Sequence, residues 1–222
     1  MDLDAIYEKI IKRVDEAKVF RDEPMSKHTS LKTGGKADFF IKPTSIKEVE
    51  ALIDLSNKEN IPITIIGNGT NLLVRDKGIR GMVVKANLQE VEIKKSKDKV
   101  VITAGSAVPL TKVSKLAKEN SASGLEFAIG IPGTLGGAVC MNAGAYGGEM
   151  KEVVATTTFI DFDGNIRKIT NEQHEFGYRD SVFAKIDGVI LETKLELPVG
   201  NKDEIQEVMD KNMQARIEKQ PL

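Results

Sequence analysis

Residues 130–148 read GIPGTLGGAVCMNAGAYGG, and this stretch decides how the rest of the chain is read. Seven of its residues are glycine, out of 19 in all 222 residues, and the others are mostly small or apolar. A flexible linker would be polar and rich in serine, which this is not. Glycine lets backbone N–H groups approach a ligand and lets the chain take positive φ. Turns of that kind form nests of amides that hold anions, phosphate above all. Glycines 130, 133, 136, 137, 144, 147 and 148, with Pro132 fixing φ among them, point to a cofactor cradle. The competing reading is a tight backbone crossing in which glycine only relieves clashes.

Upstream, Gly67-Asn68-Gly69-Thr70-Asn71-Leu72 follows an apolar run. The dinucleotide fingerprint needs a third glycine and an immediate helix, but Leu72 and then Arg75-Asp76-Lys77-Gly78 stand there, so a Rossmann fold is rejected. The loop can still hold phosphate through its amides and the Thr70 and Asn71 side chains. An ordinary strand-to-strand loop remains the alternative for this segment alone.

Around these two stretches the pattern is α, then β-α-β, then a second α+β half. A helix is expected over Asp2–Lys18, closed off by Pro24, and a polar glycine-ended turn over His28–Gly35. A strand is expected over Ala37–Lys42. Ser45 and Glu48 form a capping box that opens a helix to about Glu59, and a buried strand over Ile63–Ile66 follows. Strands over Met82–Ala86, Val91–Ile93 and Val100–Ala104 precede a helix from Pro109 to about Asn120. Beyond the glycine-rich stretch, Val153–Phe162 and Ile166–Thr170 flank an Asp163-Gly164 hairpin. A long strand over Val189–Leu197 and a helix over Asn201–Lys219 complete the pattern. The segments are an N-terminal helix over 1–22, a first lobe over 23–90, a second over 91–200 and a helix over 201–222, with a ligand between the lobes.

A net charge of −1 gives no general basic surface and argues against nucleic acid. One cysteine excludes a disulfide framework and suits a reducing compartment, and with no signal peptide or membrane-length apolar run the cytoplasm is expected. Two distant histidines and one cysteine make no metal site. His28 and His174, with polar neighbours, are expected at the surface or in caps. Cys140 reads as a small hydrophobe.

Taken together, HTSLKTGG from His28, GNGTNLLV from Gly67, the 130–148 stretch, FGYRDSVF from Phe176 and the closing RIEKQP from Arg216 resemble the UDP-N-acetylenolpyruvoylglucosamine reductase family. The resemblance spans residues 28–221 and is to the form without an extra tyrosine-bearing loop. It implies an α+β, two-lobed FAD-binding domain of the vanillyl-alcohol-oxidase type, reduced by NADPH, acting on a UDP-sugar enolpyruvate in peptidoglycan synthesis. It further implies that Gly67, Asn68, Gly69, Thr70, Asn71 and Leu72, together with Gly130, Pro132, Gly133, Thr134, Gly136, Gly137, Ala138, Ala143 and Gly144, line the flavin.

The resemblance makes Arg179 the cation beside the enolpyruvyl carboxylate, and places Tyr178, Asn142 and Lys219 at the substrate, Lys219 on the diphosphate. From the residues alone, Arg179 reads as an ion pair with Asp180 or Glu175, Tyr178 equally as packing, and Lys219 as a solvated helix-end charge. Arg216 is treated as structural. In the family a further domain follows the lysine-x-proline segment and carries an acid serine and a glutamate; neither follows Lys219 here. The expectation is therefore the flavin-binding part, with impaired turnover. A non-catalytic flavin- or nucleotide-binding module is the alternative.

Overall fold

The computed structural model describes residues 2–219, in two compact units: 2–88 with 160–167, and 89–159 with 168–219.

The first unit begins with α1 (Leu3–Ile11), whose Asp2 side chain caps the N–H groups of Asp4 and Ala5. The helix ends seven residues before the expected Lys18. Asp15 turns the chain by accepting from the Ala17 N–H, and a short 3₁₀ turn over Glu16–Lys18 follows. Val14 keeps the apolar periodicity without helix, because it is buried from the turn. Pro24 does not close a helix either. It is the last residue of strand β1 (Val19–Pro24), which lies at a sheet edge where a missing N–H breaks no ladder.

Strands β2 (Lys36–Ile41), β3 (Ile63–Ile65) and β4 (Ile79–Val84) complete this sheet in the order β1-β2-β4-β3. β4 runs parallel to β2 and β3, and β1 is antiparallel to β2. Helix α2 (Ile46–Glu59) connects β2 to β3; its Ser45–Glu48 capping box is formed and Asn60 closes it at φ 52°. Near-continuous apolar runs in β2 and β4 follow from burial on both faces. Phe39, Ile41, Met82 and Val84 pack with Ile6, Ile10, Leu52 and Leu55 of the two helices. On the other face Phe40 and Val83 meet Met25 and Val74. Truncating Phe39, which is fully buried, would cost about 3–5 kcal/mol. β3 is half-buried rather than buried, as an edge strand.

The second unit is built on β5 (Val91–Lys95), β6 (Lys99–Gly105), β9 (Val154–Asp161), β10 (Ile166–Thr170) and β11 (Gly188–Pro198), in the order β10-β9-β11-β6-β5. Helix α3 (Leu110–Glu119) buries Leu110, Val113 and Ala117, the face its periodicity predicts, and Pro109 stands at its N-cap. Within the glycine-rich stretch lies a six-residue helix, α4 (Leu135–Cys140), capped by Thr134 and unforeseen in the sequence. A tiny hairpin, β7 (Gly144–Ala145) and β8 (Gly148–Glu149), follows it. Helix α5 (Lys202–Lys219) ends the described chain and buries Ile205 and Met209.

His28 is half-buried and caps the 3₁₀ turn over Met25–Lys27, as expected, whereas His174 is not at the surface. His28 stacks on Phe40 with ring centroids 3.9 Å apart and bonds Glu23 at 2.9 Å. His174 is wholly buried, stacked on Phe176, with Nδ1 2.7 Å from the Thr170 carbonyl and Nε2 2.8 Å from Thr157 Oγ1. A carbonyl only accepts, so Nδ1 carries the proton and Nε2 accepts from Thr157. For His174 the polar sequence neighbours misled, because its two ring nitrogens find partners inside the fold.

Candidate active site

The glycine-rich stretch serves two ends. A Cβ on Gly136 would lie 2.8 Å from Ser106 Cβ, on Gly144 2.8 Å from the Gly148 carbonyl, and on Gly148 2.6 Å from Phe127. On Gly130 it would meet Arg216 Nε at 2.6 Å; that nitrogen is buried without a hydrogen-bond partner among the described residues. Close packing thus accounts for four of the seven glycines. Gly133 and Gly147 have φ of 134° and 86°, which only glycine takes readily. Gly137 is exposed and makes only ordinary contact.

Among the other residues expected at the flavin, Ala138 and Ala143 are buried in the second unit's core, and Thr134 is buried as well. The Thr134 hydroxyl accepts from the Gly137 N–H at 3.3 Å, and Pro132 is exposed.

In the first unit, the Gly67–Leu72 loop is turn and bend from Gly67 to Asn71, with Asn68, Thr70 and Asn71 exposed and Leu72 half-buried. Gly69 has φ 64°, and a Cβ there would sit 2.0 Å from the His28 carbonyl; its own carbonyl accepts from Ser30 N–H at 3.1 Å. The His28–Ser30 segment therefore holds the loop in shape. Among the described residues, the N–H groups of Gly67, Asn68 and Asn71 meet no protein acceptor. Unpaired amides in a glycine turn are the donors a diphosphate needs, so this loop of the first unit fits the diphosphate of FAD.

A cavity of about 380 Å³ opens within the second unit, and Asn142, Tyr178 and Arg179 line it. Gly144 to Glu149 and Glu152 complete the lining. Tyr178 and Arg179 form the tip of a tight turn closed by Gly177 and Asp180, whose N–H groups bond each other's carbonyls at 3.0 and 3.4 Å. Arg179 takes φ 54°, unusual for a side chain of its size. Its guanidinium donates to the Gly144 carbonyl at 3.0 Å. Neither ion pair considered from sequence forms: Glu175 pairs with Lys185 at 3.6 Å, and among the described residues no carboxylate reaches Arg179. Tyr178 is 92% exposed, which rules out packing as its role.

Asn142 is buried with φ 39°. Its Nδ2 donates to Glu149 Oε2 at 3.0 Å and to the Gly177 carbonyl at 2.9 Å, and its Oδ1 accepts from the Lys151 N–H at 2.9 Å. Ser181 is buried and donates to the Cys140 carbonyl at 2.7 Å. Cys140 lies half-buried beside them; burial first, and then the Asp180 charge, pushes its thiol up, the reverse of activation. Lys219 is exposed at the last described position; Gln220 and Pro221 of the closing motif lie outside the described residues.

Tyr146, Glu149 and Glu152 also face this cavity and were not singled out from sequence. Tyr146 has φ 53° and Gly147 follows at 86°, a two-residue hairpin turn of the primed type. An x-Gly pair between short strands was the available signal, hidden by the glycines around it. Among the described residues no group of three or more metal-binding side chains exists, and no helix is long and apolar enough to cross a membrane.

Residues 37–170 match the family model of the FAD binding domain. Solved structures of low identity share the fold, which is α+β and of the vanillyl-alcohol-oxidase type: 4-ethylphenol oxidase from Gulosibacter chungangensis superposes with a TM-score of 0.63 at 15% identity, over 88% of this chain and 43% of the other. The class is thus an FAD-binding protein. Within it, the chain belongs to the UDP-N-acetylenolpyruvoylglucosamine reductase family. It is 43% identical over 219 residues to the reductase of Clostridioides difficile (strain 630), covering 98% of this chain and 71% of that one. To the reductase of Staphylococcus carnosus (strain TM300) it is 42% identical over 222 residues, 100% of this chain and 71% of the relative. The crystal structure of the Thermus caldophilus reductase superposes with a TM-score of 0.79 at 29% identity, over 92% of this chain and 71% of the other.

Proposed function

We propose that the chain is the FAD-binding part of a cytoplasmic oxidoreductase that uses NADPH to reduce UDP-N-acetylglucosamine enolpyruvate to UDP-N-acetylmuramate, in peptidoglycan synthesis. Family membership supports the reaction class. The observation that carries the reading is Arg179: a guanidinium with no carboxylate partner among the described residues, set on a left-handed turn at a cavity with room for a sugar acid.

FAD, when bound, supplies hydride transfer from nicotinamide to substrate. The Gly67–Leu72 amides of the first unit would hold its diphosphate, and the backbone of residues 130–144 would be the second unit's contact to it. Hydride addition to the enolpyruvyl methylene carbon leaves negative charge that spreads onto the adjacent carboxylate. Arg179 meets that charge with donors already in place, which costs no reorganisation when the charge develops. Its Gly144 anchor occupies part of the guanidinium and leaves the rest of its five donors to the carboxylate. Tyr178 lines the sugar-binding side and Lys219 meets the diphosphate through a charge-assisted bond.

The test is Arg179→Ala in the flavin-loaded protein, followed separately through flavin reduction by NADPH and flavin reoxidation by substrate. Loss confined to the second half-reaction supports the reading. A variant that reoxidises at the wild-type rate removes Arg179 from the mechanism. A wild-type protein that takes up FAD but never transfers hydride to the substrate supports the non-catalytic alternative.

A further inference from the structure

Arg179 sits on a turn of only two central residues, in a conformation its own side chain disfavours. Such a turn needs outside support. Both ends receive it from the last residue of α4 and the segment that follows it. At the N-terminal end, Asn142 Nδ2 donates to the Gly177 carbonyl at 2.9 Å. At the C-terminal end, Ser181 Oγ donates to the Cys140 carbonyl at 2.7 Å, and the same oxygen accepts from the Phe183 N–H at 3.3 Å. Between them, Arg179 reaches the Gly144 carbonyl. Five residues, 140–144, thus hold the turn at three points.

Asn142 does a second thing that Ser181 does not. The other hydrogen of its amide goes to Glu149 Oε2, and Glu149 lines the same cavity as Arg179. A carboxylate held there is kept from closing on the guanidinium, where it would compete with an acidic ligand. The asparagine is itself fixed by the Lys151 N–H on its oxygen, and its φ of 39° is one that asparagine tolerates better than most residues. Both amide hydrogens of this residue, 3% exposed, are committed to protein, so Asn142 has no donor left for a substrate.

We infer that Asn142 is a positioning residue: its amide holds the Gly177–Asp180 turn and the Glu149 carboxylate so that Arg179 faces the cavity unpaired. This rests on the reading of Arg179 given above. Two substitutions separate the amide's role from the fold. Asn142→Asp keeps shape and volume but turns the donor into an oxygen facing both Glu149 and the Gly177 carbonyl. Asn142→Gly removes the amide while suiting the positive φ.

The experiment measures both half-reactions of the flavin-loaded protein, with NADPH and with UDP-N-acetylglucosamine enolpyruvate, for these variants, Arg179→Ala and Asn142→Gly/Arg179→Ala. In both Asn142 variants FAD content and NADPH reduction stay at wild-type level, while reoxidation by substrate slows by about tenfold to a hundredfold, the loss expected from one or two buried hydrogen bonds. The double variant is within about twofold of Arg179→Ala, because two residues acting through one contact are not additive. Wild-type reoxidation in Asn142→Gly, a loss that multiplies that of Arg179→Ala, or loss of bound FAD in both Asn142 variants overturns the inference. If Arg179→Ala itself reoxidises normally, the parent reading fails instead, and this inference falls with it.

Discussion

The Arg179 guanidinium and the Gly144 carbonyl are joined by one 3.0 Å hydrogen bond, which ties the tip of one turn to the base of the β7–β8 hairpin. A carbonyl can hold a guanidinium in place without neutralising it. Replacing Arg179 with alanine should therefore leave FAD binding intact and slow transfer to substrate by about 10²- to 10³-fold, the usual cost of a missing charge-stabilising donor. Arg179→Lys should recover little, since a single ammonium cannot bond the Gly144 carbonyl and still present a planar fork to a carboxylate. Rapid-mixing measurement of flavin reoxidation checks both.

Gly69 offers a test of the first unit alone. Any side chain there must fit φ 64° and a Cβ 2.0 Å from the His28 carbonyl. Gly69→Val should reshape the 67–72 loop, lower the thermal midpoint by several degrees and abolish FAD retention. Circular dichroism and the flavin content of the purified protein report the two effects. The same replacement at Gly133, with φ 134° in the second unit, should also empty the flavin site.

His174 sets the sign of a pH effect. Burial lowers its pKa, against the opposing pull of the Thr170 and Asn171 backbone. Between that lowered value and the ordinary one near 6.5, the unfolded chain binds more protons than the folded one. Stability therefore falls as pH drops below about 6.5 and is level above it, so far as this group is concerned. Denaturant midpoints measured from pH 5 to 8 should show that fall, and His174→Gln, which removes the titration, should flatten it.

Cys140 should be inert in the folded protein. Its thiol is pushed up by burial and by Asp180, so a thiol reagent at pH 7.5 should label it far more slowly before unfolding than after. Equal rates would mean that the α4 end opens readily.

What the sequence made legible follows from how local each signal is. The Ser45–Glu48 box and the Asp163-Gly164 hairpin depend on neighbours within a few residues, and both formed as read. The α1 boundary did not, because Val14 keeps helical spacing while serving a turn. Helix α4 was hidden by glycines that its composition disfavours; it forms because Gly136 fits under Ser106 and Thr134 caps it. His174 was misplaced for a similar reason, since its Thr157 partner is 17 residues away. At the site, the motif around Arg179 was recognisable, but its unpaired charge was not. Asp180 and Glu175 are nearest in sequence, and only the turn's geometry directs Arg179 to Gly144 instead.

The most direct measurement is the visible spectrum of the purified chain titrated with FAD, then treated anaerobically with NADPH and with the UDP-sugar enolpyruvate. The account predicts a bound-flavin spectrum with vibrational structure, bleached by NADPH. A chain that stays colourless at saturating FAD, while folded by circular dichroism, would contradict the assignment of the Gly67 and Gly130 segments as the cofactor's donors.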